Sequence, residues 1–299
     1  MTPPVTRLYR IGAIAMLAML LNACTGFALN AINVPSRVHS EQSVTRDIAY
    51  GPGDHQTLDL YQPASGVHAN RQLVIFIYGG GWTSGQKEHY YFVADALTRA
   101  GYSVAIPDYV KYPEAQFPAF VEDVALAVAW LSRNREQFGD VQELIIMGHS
   151  AGAHTGALLI TDPEYLAAHQ LAPADIAAFV GLAGPYGFTP KEEKYQNVFG
   201  NLDDYSQMQP LHFVNGNEPP MLLLHGNDDT TVLPVNTRKF SDKVNAKGGY
   251  AATRLYADRG HIDLLLALSR VVDREGEVRG DILEFLRREL PAPDVPADA

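Results

Sequence analysis

A serine set between glycines is the first residue whose surroundings suggest chemistry. Gly148-His149-Ser150-Ala151-Gly152 is a G-x-S-x-G stretch. Leu144 to Met147 before it is a short apolar run, as a buried strand should be, and Ala153 to Ile160 after it passes from small to larger apolar residues, as a tightly packed helix does. On a sharp turn between strand and helix a serine hydroxyl stands exposed, and side chains at Gly148 or Gly152 would collide with the neighbouring elements. A hydroxyl becomes a good nucleophile only when a base takes its proton and an acid orients the base. Five histidines follow Ser150. His154 is too near in sequence, His169 and His212 follow no strand, and His225 ends a strand in the slot just before the candidate acids. His261 follows the last strand-like run, in the turn Asp258-Arg259-Gly260-His261, and is the base selected where nucleophile, acid and base follow one another in that order along the chain. Asp228 and Asp229 both follow the run Met221–His225, and both are in range of it.

Acyl transfer also needs donors aimed at the oxygen where negative charge develops. Gly79-Gly80-Gly81 directly follows the apolar run Leu73–Tyr78. Three glycines free the backbone to turn its N–H groups towards one point, so Gly80 and Gly81, with Ala151 beside the serine, are the expected oxyanion donors. The chemistry needs neither metal nor cofactor, and the chain has no H-E-x-x-H or other metal-ligand spacing.

The elements that must position these residues read as alternating strands and helices. Val44–Tyr50 and Thr57–Tyr61, separated by Gly51-Pro52-Gly53-Asp54, form an expected antiparallel hairpin. Strands follow at Leu73–Tyr78, Tyr102–Ile106, Leu144–Met147, Ala178–Leu182, Met221–His225 and Thr253–Tyr256. Helices are expected over Lys87–Ala100, from Pro118 onward with Phe120, Val124, Val128 and Leu131 on one stripe, around Thr237–Ala246 and over Val278–Leu290. This pattern gives a mostly parallel sheet covered by helices, with sites beyond the C-terminal ends of its strands. Every candidate residue follows a strand.

The N-terminus reads as an export signal. Arg7 and Arg10 precede an apolar stretch, Ile11–Leu21, that falls short of the roughly 20 residues a membrane span needs. Leu21-Asn22-Ala23-Cys24 resembles the lipobox of bacterial lipoproteins, and Cys24 is the only cysteine of the chain. That resemblance implies cleavage after residue 23, lipid modification of Cys24 and, with Thr25 rather than Asp in the next position, the outer membrane. Residues 24–43 then read as a tether, 44–290 as one catalytic domain and 291–299 as a disordered tail. The net charge is −11, and removing residues 1–23 takes away two arginines and no acid, which argues against binding nucleic acid by a basic face. Membrane attachment is expected through the lipid anchor alone.

Taken together, the chain resembles the α/β-hydrolases of the carboxylesterase and hormone-sensitive-lipase-like group. Tyr78-Gly79-Gly80-Gly81-Trp82 is similar to the H-G-G-G-W loop of microbial esterases, with Tyr in the place of His. Pro107-Asp108-Tyr109, Tyr112-Pro113-Glu114, Phe117-Pro118-Ala119 and Glu122-Asp123 through Trp130 resemble the segments that follow that loop, with Val110 in place of an Arg. His225-Gly226-Asn227-Asp228-Asp229-Thr230-Thr231-Val232 fits the H-G-x-x-D-x-x-V pattern, which implies Asp229 rather than Asp228 as the acid. The resemblance implies a serine ester hydrolase with Ser150, Asp229 and His261 as its triad, acting on short or medium acyl esters. The same framework resembles arylformamidases, acetylated-sugar esterases and prenylcysteine methylesterases. A binding module on an inactive hydrolase fold is the reading from another class, and the complete triad argues against it. The irregular segment 185–219, rich in Tyr, Phe and Met, is expected to roof the pocket as a small cap.

Overall fold

The computed structural model describes residues 28–200, 202–272 and 276–290. The export signal, Cys24 and the segment 291–299 lie outside the described residues.

Eight strands form one sheet in the order β1-β2-β4-β3-β5-β6-β7-β8. Strands β1 (Ser43–Ala49) and β2 (Thr57–Gln62) pair antiparallel, and β2 also runs antiparallel to β4 (Ser103–Pro107). From β4 onward all pairs are parallel, through β3 (Gln72–Ile77), β5 (Glu143–His149), β6 (Ile176–Leu182), β7 (Met221–Gly226) and β8 (Ala251–Tyr256). Every residue of β3 and β7 is buried, which requires cover on both faces of the sheet. The cover comes from α2 (Tyr91–Thr98), α3 (Ala119–Arg133), α4 (Ala151–Thr161), α8 (Val235–Ala246) and α10 (Glu277–Glu289), and the short helices α5 (Pro163–Ala167) and α7 (Pro210–Phe213) fall between α4 and α8 in the chain. The stripe read in α3 is its buried face: Phe120, Val124, Val128 and Leu131 are all shut off from solvent. This is the α/β-hydrolase arrangement.

The chain leaves β3 towards β4 on one side and returns to β5 on the other. Loops following β3 and β5 therefore diverge at a topological switch point, where a crevice opens at the C-terminal edge. The glycine loop follows β3 and Ser150 follows β5, so the order of the strands brings them side by side.

Two stretches differ from their sequence reading. Residues 28–39 form a helix, α1, docked on the domain, where the sequence suggested an irregular tether. Pro35 lies inside α1 and broke the periodic signal. Segment 185–219 splits in two. Phe188 and Tyr195, around α6 (Glu193–Phe199), line a cleft, whereas Phe199 and Met208 are core residues and Tyr186 stacks on Phe240 with ring centres 4.5 Å apart.

Candidate active site

Ser150 is the hinge between β5 and α4. Its backbone has φ 54° and ψ −122°, a left-handed conformation that a non-glycine residue adopts only where the surroundings enforce it. They do so by close packing. A Cβ on Gly152 would lie 2.0 Å from the Ile77 carbonyl oxygen, and one on Gly148 would lie 2.5 Å from that of Gly152. The two glycines let α4 begin hard against the end of β3. The serine is thereby presented at the N-terminus of α4, where the helix dipole favours negative charge.

The structure brings Ser150, His261 and Asp229 into one hydrogen-bonded line. The Ser150 hydroxyl lies 2.8 Å from His261 Nε2, and His261 Nδ1 lies 2.7 Å from Asp229 Oδ2. With Nδ1–H donating to the carboxylate, Nε2 is left to accept the serine proton. Asp228, the alternative left open by spacing, is exposed and takes part in neither bond of this line. Asp229 is almost fully buried. Its Oδ1 accepts the N–H groups of Thr231 and Val232, each at 2.9 Å. Burial pushes its carboxyl up, but hydrogen bonds from His225, His261 and the Val232 N–H outweigh that and hold it well below the usual carboxylate range.

Three further residues orient this line, and the sequence reading assigned none of them to it. His225, wholly buried, has Nε2 2.7 Å from the Val232 carbonyl and 3.1 Å from Asp229 Oδ2, so one N–H serves both. Its Nδ1 meets the Thr237 hydroxyl at 2.8 Å, which fixes the ring. His149 Nε2 donates to the His261 carbonyl at 3.0 Å, and the two rings lie 4.9 Å apart. Burial, and then the neighbouring His261, push the His149 imidazole down to about 3, so it stays neutral. Asp263 accepts the Gly260 N–H at 2.6 Å and clamps the turn that carries His261. The signal for His225 was its place in H-G-x-x-D. For His149 and Asp263 it was only adjacency to Ser150 and His261.

The glycine loop is fixed from behind. Tyr78, the residue that replaces His in the loop motif, is sandwiched between Tyr90 and Tyr109, with ring centres 5.2 and 4.8 Å away. Its hydroxyl donates to Asp108, and Tyr109 donates its own to the Tyr78 carbonyl at 2.9 Å. Beyond it, Gly80 has φ 128°, and its carbonyl turns away to accept the Ser84 hydroxyl at 3.0 Å and the Thr83 N–H at 3.2 Å. Among the described residues, no protein acceptor takes the N–H of Gly80, Gly81 or Ala151. Trp82 pins segment 185–199 onto this loop, stacking on Phe188 and meeting Phe199 edge-on at 4.8 Å.

All of this opens into one cleft of about 1020 Å³. Ser150, His261, Gly80, Gly81 and Ala151 line it, with Trp82, Phe188 and Tyr195. A carbonyl compound placed there meets a hydroxyl with a base attached and backbone donors without partners, which is the equipment for acyl transfer.

Comparison with known proteins points the same way. Residues 58–244 match the family model described as BD-FAE. Esterase LipQ of Mycobacterium tuberculosis is 28% identical over 250 residues, covering 77% of this chain and 59% of that protein. The isoprenylcysteine alpha-carbonyl methylesterase ICME of Arabidopsis thaliana is 27% identical over 248 residues, covering 75% of this chain and 58% of its own length. The chain thus spans less than two thirds of these curated relatives. A truncated carbohydrate esterase from gut microbiota shares the fold, with a TM-score of 0.72 at 19% identity over 84% of this chain and 98% of that one.

Proposed function

Since the chain belongs to the BD-FAE family, we propose that it is a carboxylic-ester hydrolase working through Ser150, His261 and Asp229. The observation that carries the reading is the 2.8 Å bond from the Ser150 hydroxyl to His261 Nε2. The names of LipQ and ICME, both esterases, support the reaction class.

In this reading, Ser150 Oγ attacks the acyl carbon as its proton passes to His261 Nε2. The carbonyl oxygen becomes an oxyanion and is held by the N–H groups of Gly80, Gly81 and Ala151. Asp229, 2.7 Å from His261 Nδ1, stabilises the imidazolium and keeps the ring in the useful tautomer. The imidazolium then protonates the departing alcohol, leaving an acyl-serine. Water enters, loses its proton to His261 and attacks the acyl carbon. The serine leaves with that proton and the acid is released. Short or medium acyl esters are the substrates that the sequence resemblance implies for this cleft. An ester panel set beside N-formyl aryl substrates tests the class. Turnover of esters well above the formamides is expected, and the reverse would assign an amidase.

We also propose that Cys24 carries the lipid anchor that its motif implies, at the outer membrane. Cys24→Ser should move the protein from the membrane to the soluble fraction with its ester turnover unchanged. A variant that stays in the membrane pellet would contradict the anchor.

A further inference from the structure

Helix α1 does more than approach the domain. Leu29 and Asn30, in its first described turn, line the same cleft as Ser150. The helix is locked in place by Asn33, which is wholly buried. The Asn33 side chain donates to the carbonyls of Glu88 and His89, at 3.2 and 3.0 Å, and accepts the Phe92 N–H at 2.9 Å. The Phe92 N–H is one of the donors that α2 leaves unpaired at its own start, so Asn33 caps α2 from a distant part of the chain. Arg37, one turn on, donates to the Glu88 carbonyl at 3.3 Å and lies over the Tyr91 ring.

Leu29, Asn33 and Ser36 are the buried face of α1, whereas Val34 and Val38 face solvent. The turn that Asn33 grips also carries His89 and Tyr90, which line the cleft beside Leu29. One amide therefore holds two adjoining parts of the cleft wall. A buried side chain making three hydrogen bonds to backbone is a rigid joint, since loosening it strands buried polar groups.

We propose that α1 is a specificity wall of this site. Leu29 contacts an apolar chain of the ester remote from its scissile carbonyl, and Asn33 is the positioning residue that sets where Leu29 stands. The proposal rests on the ester-hydrolase reading. Leu29 offers apolar surface on the wall of the cleft that holds Ser150, so it limits how long a chain fits well, and each buried methylene is worth roughly fourfold in binding.

The test uses the full-length protein and two series of esters, one running from acetate to decanoate with a fixed alcohol, the other with fixed acetate and alcohols of rising length. Leu29→Trp fills the space and should cut kcat/KM for the longer esters of one series, relative to acetate, by roughly tenfold. Leu29→Ala enlarges the space and should move the preferred length upward. Asn33→Ala should flatten the length preference, through KM rather than kcat. Shifts in opposite directions at one position cannot come from general loss of folding. Length profiles of the three variants that superimpose on an active wild type in both series would overturn this proposal alone. A wild type that neither turns over an ester nor reacts with a fluorophosphonate would overturn the hydrolase reading, and the specificity wall with it.

Discussion

Asp95 and Asp229 are both carboxylates taken out of water, and the molecule holds them in different ways. Asp95, on α2, faces the guanidinium of Arg270 through two parallel bonds of 2.7 and 2.8 Å, with Arg99 Nε at 3.4 Å. Among the described residues, no guanidinium or ammonium pairs with Asp229. Two backbone N–H groups and two imidazoles surround it, at 2.7 to 3.1 Å. The first carboxylate is neutralised by a permanent cation, and its work is to fasten the segment after α9 (Asp263–Leu266) to α2. The second is solvated without being cancelled. In the proposed mechanism its charge is held in reserve until a proton arrives on His261 from Ser150. A structural acid is paired for good, whereas a mechanistic acid is paired only while the reaction runs.

The comparison can be broken at either end. Asp229→Asn keeps the shape but removes the charge and misdirects the His261 tautomer, so kcat should fall by about 10⁴-fold. Asp228→Asn, exposed and outside the line, should stay within about twofold of wild type, as surface substitutions do. Ester kinetics on the two variants decide between the neighbours, and the opposite ranking would reassign the acid. Arg270→Ala should act on stability instead. It leaves Asp95 buried beside only the more distant Arg99, at a cost of about 3 kcal/mol, the low end for a broken buried pair because Arg270 is partly exposed. A lower melting temperature with kcat of the folded enzyme nearly intact is the expected result. A large loss of kcat with no change in melting would erase the distinction between the two acids.

The smallest effect is on pH dependence. Burial pushes His154 down to about 3, and burial with the neighbouring His261 does the same to His149. Both are neutral when folded and take up protons near 6.5 when unfolded. As pH falls from 6.5 towards 3 the unfolded chain binds protons that the folded one refuses. Stability should therefore drop, by up to about 1.4 kcal/mol per pH unit for each histidine. Denaturant titrations of wild type and His154→Gln across that range should show the slope reduced by one proton in the variant. Equal slopes would show that His154 is not held neutral.

Much of this was legible in the sequence, for physical reasons. Strands buried on both faces are unbroken apolar runs, and the strand-serine-helix corner needs glycines where helix and strand touch, so β3, β5 and the setting of Ser150 could be read directly. The choice of Asp229 over Asp228 could not come from spacing, since the two residues are adjacent. It came from a motif, and the structure supplies the cause: the chain turns so that Asp229 faces inward and Asp228 outward. Helix α1 was missed because Pro35 interrupts its period and its lock is a side chain bonded to backbone, which leaves no trace in hydropathy. His149 was missed as an orienting group because its partner, the His261 carbonyl, becomes a neighbour only when strands β5, β7 and β8 lie in one sheet, whereas His225 meets Asp229, four residues on, through the local turn after β7.

The central claim is that Ser150 is the nucleophile, and intact-mass measurement after fluorophosphonate treatment tests it most directly. Wild type should gain one phosphonyl group per chain and lose ester turnover in proportion. Ser150→Ala should gain none, melt as wild type does, and turn over esters more slowly by about 10⁴-fold or more. Labelling of Ser150→Ala to the same extent as wild type, or a variant within tenfold of wild-type turnover, would contradict the account.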